Sequence, residues 1–235
     1  MLQINNLTKT YGSVTVLDIE NLSIGAGEQL GVVGNNGAGK TTLFRLILDL
    51  IKPTTGEVLI EGQNVATGEN WKKYTGSFID EKFLIDYLTP DEYFGFLARI
   101  YGMNHTDVST FLGQFEMLFN DEVLNRGRYI RDLSKGNKKK VGIAAALIGK
   151  PQLVLLDEPF ENLDPTSQLR LHQIINSYQS SHNTTFLLSS HDLNHVTSLS
   201  TRIVLLEKGA LRVDEPVDDA TLHRLQDYFT ADFSS

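Results

Sequence analysis

Apolar positions in the first part of the chain fall in short runs rather than long stripes. LQINNL (2–7), VTVLDIENLSI (14–24), EQLGVVG (28–34) and GEVLIEG (56–62) are bounded by Gly or Asn, as strands and turns are. Between the last two, TTLFRLILDLIK (41–52) puts its apolar residues at helical spacing and stops at Pro53. The order is strand, glycine loop, helix, strand. From about Phe83 to Lys150 the helical period takes over. TPDEYFGFLARIYG (89–102) starts as a helix should, with Thr-Pro-Asp-Glu, and ends at a glycine. TDVSTFLGQFEMLF (106–119) and SKGNKKKVGIAAALIG (134–149) predict two further helices, the last closed by Gly149 and Pro151. QLVLLDEP (152–159) is a continuous apolar run with acids at its end, the pattern of a buried parallel strand. The remainder predicts helix (165–179), strand (184–190), helix (192–200) and a hairpin-like pair (202–212). The pattern defines an α/β core with an α-helical lobe inserted over 83–150, and an acidic, weakly helical tail over 214–235. No repeat and no linker divides it, so residues 1–235 are expected to form a single domain.

Composition narrows the class. The chain has 235 residues, 41% hydrophobic and 21% charged, which suits a globular protein. With no cysteine, disulfides, thiolate metal sites and cysteine nucleophiles are excluded. The N-terminus lacks a signal-peptide pattern, and the longest apolar runs are too short to span a bilayer. The chain is therefore expected to be soluble, with no membrane span of its own. A net charge of −8 argues against general nucleic-acid binding. Arg126, Arg128, Arg131, Lys135, Lys138, Lys139 and Lys140 nevertheless cluster, and such a run ordinarily forms a solvated face.

GNNGAGKT, Gly34 to Thr41, fits the phosphate-loop pattern G-x-x-x-x-G-K-[ST]. Gly34, Asn35, Asn36, Gly37, Ala38 and Gly39 can curl backbone N–H groups around a polyphosphate. Helix N–H groups at Lys40, Thr41 and Thr42 then present a positive end. Lys40 supplies a point charge for the β- and γ-phosphates of a nucleotide, and Thr41 a hydroxyl for Mg²⁺. LVLLDE, Leu153 to Glu158, ends a buried strand with Asp157 placed to hold Mg²⁺. Glu158 is placed to orient or deprotonate an attacking water. His191 follows a strand expected beside that of Asp157, where it either serves structure or meets a γ-phosphate. With His195 it also approaches a zinc-protease spacing, but Asp192 is one methylene shorter than the glutamate that chemistry uses, and no third ligand is evident.

With ENLD at Glu161 to Asp164, SSHD at Ser189 to Asp192, Tyr11 in KTYGSVTVL and LSKGN at Leu133 to Asn137, the chain resembles the nucleotide-binding subunit of an ATP-binding cassette (ABC) transporter over nearly its whole length. The resemblance implies a P-loop NTPase (RecA-like) core with an N-terminal antiparallel β-subdomain and an inserted α-helical signature subdomain. It implies an ATPase whose head-to-tail dimer, of identical or different ABC ATPase subunits, closes on two ATP molecules and drives a separate transmembrane permease. Tyr11 would stack on adenine, and His191 would act as the switch histidine. Ser134 and Gly136 would face the γ-phosphate of the partner's ATP, and Asp164 would couple the two sites. The subunit would work at the cytoplasmic face of the membrane. Lys135, as in LSKG-type exporter subunits, implies export.

Three positions depart from the family pattern. Lys135 and Asn137 replace the first glycine and the glutamine of the signature, while Ser134 remains a helix cap and Gly136 a position where a side chain would crowd the phosphate. The Q-loop position falls on Asp80, a carboxylate that can touch Mg²⁺ or water. The rival functions are an ABC ATPase uncoupled from transport and a low-turnover regulatory module.

Overall fold

In the computed structural model, which describes residues 1–231, the first two strands meet apolar side to apolar side. β1 (Leu2–Tyr11) and β2 (Val14–Ile24) are antiparallel, with Leu2 opposite Ile24, Ile4 opposite Leu22 and Leu7 opposite Ile19. Strict alternation would send Leu7 outward after Ile4. Asn6, in the left-handed region at φ 47°, adds the step that returns it to the core, and β2 changes phase between Ile19 and Leu22 to match. β3 (Gln29–Val33) is buried at all five positions, and the glycine loop after it leads into α1 (Lys40–Ile47). β4 (Thr55–Ile60), β5 (Gln63–Asn64) and β6 (Thr75–Phe78) follow. Then come α2 (Pro90–Ile100), α3 (His105–Gly113), α4 (Glu116–Phe119), α5 (Lys135–Leu147) and β7 (Leu153–Leu156). The chain continues through α6 (Pro165–His182), β8 (Thr185–Ser190), α7 (Leu193–Leu199), β9 (Arg202–Glu207), β10 (Ala210–Pro216) and α8 (Thr221–Ala231). Residues 232–235, the end of the tail read from the sequence, lie outside the described residues.

These elements form two compact units, Met1–Trp71 with the chain from Thr185 onward, and Lys72–Thr184. In the first, the strands run β5-β4-β1-β2-β10-β9-β3-β8. β1, β2, β4 and β5 are antiparallel neighbours, whereas β3 runs parallel to both β8 and β9. Val33, Val196, Ile203, Leu205 and Leu225 form one core cluster here, tying α7 and α8 to the parallel strands. In the second unit β6 and β7 are parallel and α5 packs on them. Around Phe115, which is fully buried, ring centroids lie 4.9 Å (Phe111), 5.9 Å (Phe119) and 6.4 Å (Tyr178) away, a packed aromatic core.

Several features differ from the sequence expectation, and one is that β10 runs through Pro216, so the start of the tail read over 214–235 is strand. α1 stops at Ile47, short of Lys52, because Asp49 takes the left-handed region at φ 52°. Asp49 N–H donates to Leu46 O at 3.1 Å and Leu50 N–H to Arg45 O at 2.9 Å, which closes the helix in a Schellman turn. The stretch 106–119 is two helices, broken after Gly113, and the break lets Phe111, Phe115 and Phe119 turn into one core. β6 was not evident because it has only four residues, one of them a glycine.

Candidate nucleotide site

In the first unit the phosphate loop starts where buried β3 ends. Asn35, Asn36 and Gly37 are exposed, while Lys40 is buried. Lys40 Nζ donates to Gly34 O at 2.6 Å and to Asn35 O at 3.4 Å, so the side chain folds back under the loop it is meant to serve. Gly39 begins α1 at φ 111°, a conformation closed to side chains with a Cβ, and offers no side-chain cap. The first-turn N–H groups of such a helix are the groups an anion takes up. The turn between β9 and β10 supports the loop from behind, Gly209 N–H donating to Ala38 O at 2.9 Å. Thr41 and Thr42 are half-buried on the first turn of α1.

Two further residues of this unit carry expected roles. Tyr11 is exposed at the end of β1, with Lys9 Nζ 4.7 Å from its ring centroid. His191 is exposed immediately after β8, next to Asp192, which caps α7 by accepting from Asn194 N–H at 2.9 Å. The zinc alternative for His191 and His195 gains nothing: among the described residues no group of three or more His, Cys, Asp or Glu could hold a metal ion.

In the second unit the ladder between β6 and β7 extends one residue beyond β7, Asp157 N–H donating to Phe78 O at 2.9 Å. Asp157 is thereby fixed and buried at the strand end, and Glu158 follows, half-buried and left-handed at φ 47°. An open cleft of about 420 Å³ lies beside them, lined among others by Asp80, Glu81, Asp157, Glu158, Lys135 and Lys139. Asp80 caps the short turn 81–83, its Oδ1 accepting from Lys82 N–H at 3.0 Å. Asp164 caps α6 in the same manner. The Ser167 hydroxyl and N–H hold its carboxyl below the usual carboxylate range, with Lys140 adding to the effect.

Ser134 caps α5, accepting from Asn137 N–H at 3.2 Å, and is exposed together with Lys135. Asn137 Nδ2 donates to Glu122 Oε2 at 3.2 Å. A Cβ built on Gly136 would lie 2.7 Å from Asn162 O, so the glycine is needed to seat α5 against the 161–164 loop of its own chain. The basic run is a solvated face only in part: Arg126, Arg128, Arg131 and Lys135 are exposed and Lys138 is half-buried, whereas Lys139 and Lys140 are buried on the side of α5 that carries Ile143 and Ala144. Lys139 Nζ donates to Glu158 O at 2.6 Å and lies 3.8 Å from Glu161 Oε2. Burial pushes its pKa down, against the pull of the carboxylates of Glu161, Glu158, Glu81 and Asp157. Its contact with the Glu158 backbone is the element of the site that the motifs did not point to. Its position four residues before Ile143 and eight before Leu147 was the available signal.

The residues expected to hold Mg²⁺ offer hydroxyl and carboxylate oxygens, the hard donors that ion takes.

A glycine loop running from a buried parallel strand into a helix, with an inward-folded lysine, defines a phosphate-loop nucleotide-binding protein. The chain belongs to the ABC transporter family, whose model matches residues 17–161, and it is an ATPase of that type. It is 34% identical over 209 residues to an uncharacterised ABC transporter ATP-binding protein, YhaQ, of Bacillus subtilis, covering 89% of this chain and 69% of that one. It is 31% identical to the lantibiotic transport ATP-binding protein SrtF of Streptococcus pyogenes, covering 93% and 92%. A dimeric post-hydrolysis structure of the ATP-binding cassette MJ0796 bound to ADP and Pi superposes with a TM-score of 0.81 at 27% identity, over 93% of this chain and 99% of that one.

Proposed function

We propose that the chain is the ATP-driven subunit of an exporter. It pairs head to tail with a second ABC ATPase subunit, identical or not, closes on two ATP molecules, and so switches a separate transmembrane permease. The observation that carries this reading is that one chain holds two helix starts suited to phosphate: the glycine loop at α1 and the exposed, Ser134-capped start of α5. Head-to-tail pairing would give each ATP one start from each subunit. Lys135, as in LSKG-type exporter signatures, supports the outward direction. Residues 1–235 act as one ABC ATPase domain, with the helical lobe of 83–150 inserted in its α/β core. The chain works at the cytoplasmic face of the membrane, held there by the permease; no helix among the described residues is long and apolar enough to cross a membrane.

In this reading Tyr11 stacks on adenine. The backbone of Gly34 to Thr42 and the Lys40 ammonium hold the β- and γ-phosphate oxygens, and His191 hydrogen-bonds the γ-phosphate. Thr41 and Asp157 hold Mg²⁺, with Asp80 as a further carboxylate; the ion neutralises phosphate charge. Water attacks the γ-phosphorus, the bond to the β–γ bridging oxygen breaks, and Glu158 takes the proton that the water gives up. Ser134 and Gly136 serve the ATP of the partner subunit, and Asp164 couples the two sites.

Glu158→Gln tests the reading. It is expected to bind ATP normally, lose at least about 100-fold in turnover, the scale of general-base catalysis, and run as an ATP-dependent dimer on size exclusion. Undiminished turnover would remove Glu158 as the base. Co-purification of a polytopic membrane protein from detergent-solubilised membranes, with ATPase activity that responds to it, tests the coupling to transport.

A further inference from the structure

Lys139 stands apart from the other cations of its run. Its side chain is 7% exposed, and its Nζ donates to the backbone carbonyl of Glu158 at 2.6 Å. The same carbonyl accepts from Glu161 N–H at 3.3 Å, and Glu161 Oε2 lies 3.8 Å from the ammonium. Two donors on one oxygen fix the direction of that carbonyl and therefore ψ of Glu158. The φ of Glu158 is 47°, a left-handed value that residues with a Cβ seldom adopt. Such a backbone persists only where its surroundings hold it. The Glu158 side chain leaves from the backbone so held, and its direction is set there rather than by its own rotamers alone.

We propose that Lys139 is a positioning residue for ATP hydrolysis: reaching from α5, it clamps the Glu158 carbonyl and so aims the carboxylate that accepts the proton of the attacking water. The proposal rests on Glu158 being that base. It also gives α5 a second task. Lys139 lies five residues beyond Ser134, about 7.5 Å along the helix, so one rigid element carries both the phosphate-facing start and the clamp.

The test compares the unmodified full-length chain with K139M, which keeps the reach but has no donor, K139R, which restores a donor beside the open cleft, and E158Q. The readings are kcat, KM and Kd for ATP, and the melting temperature. K139M is expected to lose about tenfold or more in kcat, as misaimed catalytic groups do, with KM and Kd for ATP within about twofold of the parent. K139R should recover most of the loss. Unchanged kcat in K139M, with E158Q inactive, overturns the proposal and leaves Glu158 as the base. Normal turnover in E158Q overturns the underlying assignment, and the proposal falls with it. ATP affinity falling together with kcat in K139M, or no rescue in K139R, also overturns it. If K139M does not fold, K139L, shorter and likewise without a donor, is read against the same expectations.

Discussion

At single-residue scale Gly136 carries a constraint that its motif does not announce. The family resemblance explains its glycine by a phosphate that a side chain would crowd, yet the chain supplies a nearer reason in Asn162 O, 2.7 Å from where a Cβ would sit. A backbone carbonyl cannot swing away as a flexible side chain can, so Gly136→Ala must shift α5 or the loop. It is expected to cost about 1–3 kcal/mol, as overpacked sites do, read as a lower urea midpoint in the absence of nucleotide. An unchanged midpoint would show that the loop yields freely. Gly136 was therefore legible in the sequence, but the cause found in the fold was not, since it is a meeting of two segments with no shared pattern. Lys139 and Lys140 teach the converse. Their charge suggested solvent, whereas their phase with Ile143 and Ala144 placed them on a packed face, and phase was the better guide.

Among the elements, β9, β10, the end of β2 and the β2–β3 turn converge on one guanidinium. Arg202 Nε and Nη2 donate to the two carboxylate oxygens of Asp214, at 2.5 and 2.6 Å. Its Nη1 reaches Ser23 O at 2.8 Å and Glu28 Oε1 at 3.1 Å. These bonds, Asp214 first, hold its pKa above the ordinary arginine value. A bidentate pair with two further acceptors is worth more than an isolated surface bridge. Arg202→Met should therefore destabilise by about 1–3 kcal/mol, discounted for partial exposure; urea unfolding checks this, and a loss within about 0.3 kcal/mol would show the cluster to be idle. Strands and helices of this size were readable because each buries a periodic face. The Thr89–Glu92 capping box formed where Thr-Pro-Asp-Glu announced it. β6 escaped because four residues with a glycine give too little period, and the end of α1 escaped because Asp49 closes it with a conformation the sequence does not advertise.

For the whole molecule, the order and spacing of glycine loop, acid-ended strand and signature carried the fold class, because together they match one family pattern. Nucleotide binding at the loop should stabilise the folded chain. With E158Q to prevent turnover, ATP and Mg²⁺ at 100 times Kd add about 2.7 kcal/mol, a rise of about 5–10 °C in melting temperature for a chain of this size. A melting temperature indifferent to ATP would contradict binding at the loop. The hydrogen bond from Gly209 to Ala38 O carries a practical consequence. Lys208 and Gly209 form the tip of a hairpin far along the chain from the glycine motif; Gly209 is buried, but Lys208 is exposed, the kind of residue a protein engineer would choose for a tag or a fluorophore. Here that tip is the buttress of the nucleotide loop, so a graft at this turn would act as an inhibitor built into the label.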